Sequence, residues 1–179
     1  MTDVVGRTAI LRAARRAFAR KPYAEVTLRG IAADANVSAA LIVKHFGGKE
    51  SLFDTVADFR EAAGLLLAAP NEELGRHAVQ TLVRWRRDNG LDLLVRVVFA
   101  AGIGDERVLI RDHFTDQVVR GFAGRLAGEH VDLRAELIAA QLLGLGAAMA
   151  VDQTGPTASA DLDLIADLYA PGIQALITG

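Results

Sequence analysis

An all-α chain is predicted from three observations. Apolar residues recur at helical spacing through nearly all of the 179 residues, no stretch alternates with period two between turn signals, and no repeat of fixed period is present. About nine helices follow. They divide into an N-terminal three-helix unit over residues 1–48 and a larger helical bundle over 49–179.

In "TAILRAARRAFARK", Ile10, Leu11, Ala14, Ala17 and Phe18 form one apolar stripe opposite a row of arginines, and Pro22 closes the helix. Thr27 then stands as an N-cap before Leu28, Ile31, Ala32 and Ala35. Asn36-Val37 interrupts the run. Ser38 offers a second cap before the short helix Ala39 to His45, which Gly47-Gly48 stops. A longer helix runs from Lys49 to about Ala69-Pro70, with Leu52, Phe53, Val56 and Phe59 inward. Five more are expected, at roughly 72–88, 91–103, 105–127, 132–152 and 159–177, with Pro171 kinking the last rather than ending it.

The composition is globular, with half of the residues hydrophobic and 23% charged. There is no cysteine, which excludes disulfides and thiolate metal sites and fits a reducing cytoplasm. Arginines interrupt the N-terminus where a signal peptide would need an apolar stretch, and runs such as "LDLLVRVVFAAGIG" are broken by charge. They fall short of the roughly 20 residues a bilayer requires. The expectation is a cytoplasmic protein with no membrane partner.

Net charge is −2, but it is unevenly spread. Residues 1–50 carry nine Lys/Arg against four Asp/Glu, a net of +5, and the remainder carries eleven against eighteen, a net of −7. Such asymmetry suits an end that approaches a polyanion; the plain alternative is a solvated helix face.

Enzyme signals fail on inspection. "GGKES" lacks the earlier glycine of a phosphate loop and has Glu50 where a magnesium-binding Ser or Thr belongs. "GLGAAM" puts Met149 at the third glycine of a dinucleotide fingerprint, inside a helical run. His45, His77, His113 and His130 lie far apart, no serine sits in GxSxG, and Asp105-Glu106 and Asp161/Asp163 stand at helix starts, where acids complement the dipole. No cofactor, metal or catalytic residue is expected.

Two short helices joined by a tight turn, behind a basic first helix, are the parts of a helix-turn-helix. Helix 28–35 would cross the DNA backbone and helix 39–45 would lie in the major groove. Small Ala39 and Ala40 let that backbone come close, Thr27 and Ser38 offer hydroxyls and amides to phosphates, and Lys44, His45 and Lys49 add donors. A plain helical hairpin is the competing reading.

"TLRGIAADANVSAALIVKHFGGKESLF" closely resembles the N-terminal signature of TetR-family transcriptional regulators, through Thr27, Ile31-Ala32, Val37-Ser38, His45-Phe46 and Lys49-Glu50, with Leu52-Phe53 after it. The resemblance covers residues 8–55. The ending, "AELIAAQLLGLGAAMAV…LDLIADLYAPGIQALI", is similar to the last two helices of an actinobacterial-type branch. The resemblance implies that Thr27, Ser38, Lys49 and His45 hold phosphates, while Arg29, Ala39, Ala40 and Lys44 face bases or the groove wall. Val43 departs from the family's usual tyrosine; it keeps an apolar contact to a thymine methyl but donates no hydrogen bond. Direct readout would then rest on Arg29 and Lys44, backed by DNA shape.

The resemblance also implies a homodimer. On its last two helices, Ala140, Gly144, Ala147, Val151, Leu162, Ile165 and Tyr169 are the candidate interface; completion of the monomer core is the alternative. It implies as well a pocket near Trp85, Phe99, His113, Phe114, Gln117 and Met149 for a largely apolar effector, against ordinary core. The expected function is a homodimeric regulator that binds double-stranded operator DNA, a repressor released by a small molecule. A helical small-molecule binder whose DNA role is lost is the runner-up, and an enzyme on a helical scaffold comes third.

Overall fold

The computed structural model describes residues 2–89 and 105–179, and every regular element among them is helical. The chain divides into two compact units, Met1–Asp58 with Leu91–Ile110 and Phe59–Gly90 with Arg111–Gly179. The helix expected at 91–103 lies outside the described residues.

The first unit is built on α1 (Thr2–Arg20), whose inward face is Ile10, Ala13, Ala14 and Phe18. A 3-10 turn at Tyr23–Glu25 leads into α2 (Leu28–Asp34), α3 (Ala39–Phe46) and α4 (Lys49–Val56). Ile31, Ala32, Ile42, Phe46, Leu52, Phe53 and Val56 complete the core. Three aromatic rings tie its base together. Phe53 meets Phe18 edge-on at 4.9 Å and Tyr23 edge-on at 5.1 Å, while Phe18 and Tyr23 stack at 5.9 Å. Helix α4 belongs to this unit, beyond the expected division after residue 48.

The second unit contains α5 (Arg60–Leu66), α6 (Leu74–Asn89), α7 from Arg111 (Asp105–Phe114), α8 (Arg120–Ala123), α9 (Val131–Val151), α10 (Pro156–Ser159) and α11 (Leu162–Thr178). Helices α6 and α11 pack most extensively, and glycine makes this possible: a Cβ on Gly75 would lie 2.9 Å from the backbone nitrogen of Gln174. The Gln174 side chain stitches the same junction, accepting from Gly75 N–H at 2.9 Å and donating to the Asn71 carbonyl at 2.7 Å.

Cations inside this unit are spent on backbone carbonyls. The buried Arg134 donates to the carbonyls of Leu176, Ile177, Ala127 and Glu129, satisfying the end of α11 and the loop before α9 at once. Arg125 likewise donates to Leu67 and Ala69 carbonyls and to the Asn71 side chain.

Several boundaries differ from expectation. The helix expected from 49 to about 69 is broken, because the Phe59 N–H donates to Gln117 Oε1 instead of continuing the ladder. The helix expected over 105–127 contains a π-turn at Thr115–Val119 and ends at Ala123. The last helix begins at Leu162, where the Asp161 carboxylate caps the N–H groups of Asp163 and Leu164, and Pro171 lies inside it without ending it. Finally, the expectation that no segment has bilayer length is corrected by α9. It is 21 residues long and apolar enough to span by length and composition, although 44% of its apolar window is buried within the fold.

Candidate nucleic-acid interface

The turn between α2 and α3 is set by local chemistry. Asn36 adopts a left-handed conformation (φ 53°), which asparagine tolerates better than most residues, and the chain reverses there. Thr27 accepts the Gly30 N–H at 3.1 Å and Ser38 accepts the Leu41 N–H at 3.2 Å, so both predicted caps form. Each such cap contributes about 1 kcal/mol. Gly47, with φ 82°, closes α3 by donating to the Val43 carbonyl at 2.8 Å.

Helix α3 turns Ile42 and Phe46 into the core and leaves Ala40, Val43 and Lys44 outward, at spacing that puts them on one face. Val43 is 48% exposed. Arg29, Thr27 and Ser38 are also exposed, so α2's start and α3's start and outer face form one surface of hydroxyls, small side chains and two exposed long cations, Arg29 and Lys44. Ala39 is half-buried, and His45 is half-buried with its ring 6.1 Å from that of Phe46. Behind the surface, Arg7 lies over the Phe46 ring at 5.3 Å and holds α1 against α3.

Lys49 is placed differently from its neighbours. Its ammonium donates to the carbonyls of Tyr23 at 2.9 Å and Val26 at 3.0 Å, and sits 4.1 Å from the centre of the Tyr23 ring. The sequence reading named Lys49 but not its partners. They stand 23 and 26 positions earlier, and no local signal links them.

The other candidates separate. In the second unit Phe114 is buried edge-on to Phe59 at 5.8 Å, Met149 is buried, Gln117 caps Phe59, and Trp85 and His113 are half-buried. Phe99 lies outside the described residues. Of the dimer candidates, Ala140, Gly144 and Val151 are exposed, and Leu162 and Tyr169 are half-buried. Ala147 and Ile165 are both 7% exposed and pack in the unit's own core, while Ala148, beside Ala147, is exposed and continues the i+4 row from Ala140 and Gly144. Leu168, on the last helix offered for the same interface, is 78% exposed, and Leu133, Leu137 and Leu164, all at least 44% exposed, stand outside the expected set. Their four-residue spacing within each helix was the available signal. Tyr169 donates to the Gln141 carbonyl at 2.8 Å, and burial raises its pKa.

Two family patterns match this chain. Bacterial regulatory proteins of the tetR family are matched over residues 10–56, and the tetracyclin repressor-like C-terminal domain over residues 72–177. The chain belongs to the TetR family.

As in its relatives, the helix-turn-helix sits at the N-terminal end of an all-α chain. A TetR-family regulator of Streptomyces coelicolor A3 is 28% identical, with a TM-score of 0.61, over 98% of this chain and 96% of its own. The fatty acid degradation regulator FadR of Bacillus halodurans is 16% identical, with a TM-score of 0.66, over 93% and 98%. NalD of Pseudomonas aeruginosa, the secondary repressor of the MexAB-OprM multidrug efflux pump, is 22% identical, with a TM-score of 0.58, over 97% and 95%. No curated protein sequence matches the chain.

Proposed function

We propose that this TetR-family protein is a homodimeric, sequence-specific transcriptional repressor of the cytoplasm, released from its operator by a small, largely apolar effector. The observation that carries the DNA half is the outward face of α3. Ala40 and Val43 leave room for close approach to a groove wall, Lys44 stands beside them, and the capped starts at Thr27 and Ser38 flank them with hydroxyls. Arg29 and Lys44 would read bases, Val43 would touch a thymine methyl, and Thr27 and Ser38 would meet phosphates.

The dimer half rests on α9 and α11. Leu133, Leu137, Ala140, Gly144, Ala148 and Val151 form an exposed apolar row on α9, and Leu164 and Leu168 another on α11. The acids beside the second row, Asp163 and Asp167, are engaged by Arg76, and Asp163 also by Gln80. An apolar face with paired charge at its rim fits a second copy of itself in an isologous contact.

The effector half draws on the half-buried Trp85 and His113, on the buried Phe114 and Met149 of the same unit, and on a relative named for fatty acid degradation. A ligand preferring one arrangement of the second unit would shift the population away from the dimer that spans two successive major grooves.

Fluorescence anisotropy on DNA from upstream of the protein's own gene, against scrambled DNA of equal length at several salt concentrations, tests the reading. Tight, sequence-preferring binding with a steep salt slope is expected. Equal, weak binding to both would favour the alternative, a helical small-molecule binder whose apolar α3 no longer reads sequence.

A further inference from the structure

We infer that Lys49 is a positioning residue for DNA binding, acting through the segment Tyr23–Thr27, and that it is not itself a phosphate contact. The inference rests on the DNA-binding reading above and departs from the role that family resemblance implies for this lysine.

The geometry is specific. An ammonium carries three N–H donors. Two are committed to the Tyr23 and Val26 carbonyls, and the ring of Tyr23 lies against the same charge at 4.1 Å. That ring is in turn fixed by Phe18 and Phe53. A cation held on two carbonyls and an aromatic face has little left for a phosphate, and pulling it outward would cost both hydrogen bonds and the cation–π contact.

What the lysine holds is equally informative. Tyr23–Glu25 is a single 3-10 turn, and Val26 is its C-cap. The next residue is Thr27, whose exposed hydroxyl caps α2 and, in the proposed complex, faces the DNA backbone. Both ends of that turn are pinned to the first residue of α4 by one side chain. Removing the ammonium therefore frees the approach to Thr27 and Arg29 while leaving the exposed cation Lys44 in place.

Salt dependence separates the two roles, since each cation neutralising a phosphate contributes about 0.9 to the slope of log K against log salt. Binding of the full-length chain to the upstream duplex is measured over several salt concentrations for the wild type, Lys44→Ala, Lys49→Met, Tyr23→Leu and Thr27→Ala. The expected pattern is a slope reduced by about 0.9 for Lys44→Ala. Lys49→Met should weaken binding about tenfold with the slope unchanged, in line with the usual scale for a lost charge-assisted hydrogen bond, and Tyr23→Leu, which removes the aromatic face but keeps both carbonyls, should weaken it about threefold, also with the slope unchanged. In a Thr27→Ala background the Lys49→Met loss should shrink, because both changes damage the same contact; a general loss of stability would instead add in full.

A slope drop in Lys49→Met equal to that of Lys44→Ala overturns the inference and leaves the regulator reading standing. Full additivity with Thr27→Ala overturns it too. If Lys49→Met does not fold, Tyr23→Leu decides alone, since it keeps every cation and removes the aromatic wall of the seat while both carbonyl bonds remain; wild-type binding by that variant refutes the positioning role. Wild-type protein that shows no salt-dependent binding to the duplex removes the regulator reading, and this inference falls with it.

Discussion

The outer face of α3 and the paired outer faces of α9 and α11 are both left uncovered by the chain's own core, yet their chemistry is opposite. The first is short, built of Ala40, Val43 and Lys44 between hydroxyl caps, with Arg29 nearby. The second is long and apolar, from Leu133 to Val151 and from Leu164 to Leu168, and the charges flanking α11 are engaged by Arg76. A face with hydroxyls, small side chains and cations is suited to a wet, anionic surface. A face of branched aliphatics with neutralised acids is suited to dry contact. The contrast teaches that exposure alone does not identify a partner; the composition of the exposed row does.

The contrast can be broken most forcefully at the apolar face. Leu164→Asp combined with Leu168→Asp should abolish the dimer by light scattering while keeping helical content. Operator affinity should then fall at least about a hundredfold, because two half-sites are no longer engaged together. A variant that stays dimeric would show that the face serves something else. Next in size is Lys44→Ala, which should cost about tenfold in affinity and shorten the salt slope by about 0.9, with dimerisation untouched. Ser38→Ala should lower unfolding free energy by about 1 kcal/mol in urea melts, since the Leu41 N–H loses its acceptor.

The smallest effect sharpens the contrast by pH. Burial raises the Tyr169 pKa above its ordinary 10.0, so the folded chain retains that proton more strongly than the unfolded one. The associated stability is fully present below pH 10.0 and is lost as pH rises through the raised value. Wild type and Tyr169→Phe should therefore have parallel melting curves up to that point and converge or cross only above it. Parallel behaviour throughout would mean that the phenol titrates as it does in water.

Much of the first unit was legible in the sequence because its signals are local. Thr27 and Ser38 lie three residues before the N–H groups they cap, Gly47 ends α3 from the next position, and Ile31, Ala32, Ile42 and Phe46 follow the helical period. The second unit was read less finely. Its interruptions come from partners distant in sequence: Gln117 takes the N–H of Phe59 from 58 residues away, and Arg134 satisfies carbonyls 42 and 43 residues on. Periodicity cannot register such contacts. Ala147 and Ile165 illustrate the finer limit, since a helix apolar on most sides gives no way to tell a core row from an interface row one position over. Lys49 is visible as a cation in the sequence, but its hydrogen bonds to the Tyr23 and Val26 carbonyls are not, for the same reason.

Helix α9, apolar enough to satisfy the length and composition of a bilayer span, has a consequence for how control responds to the amount of protein. When an operator is read by two copies, occupancy rises with the square of chain concentration wherever free monomers dominate, and a cell's response to small changes in expression becomes steep. In the proposed dimer, burying the rows of α9 and α11 against a second copy would lower the concentration at which chains assemble. Occupancy then follows copy number in simple proportion until the operator saturates. For a regulator of the proposed kind, the threshold at which a gene switches on would then be set by how much effector arrives rather than by fluctuations in how many regulator chains were made.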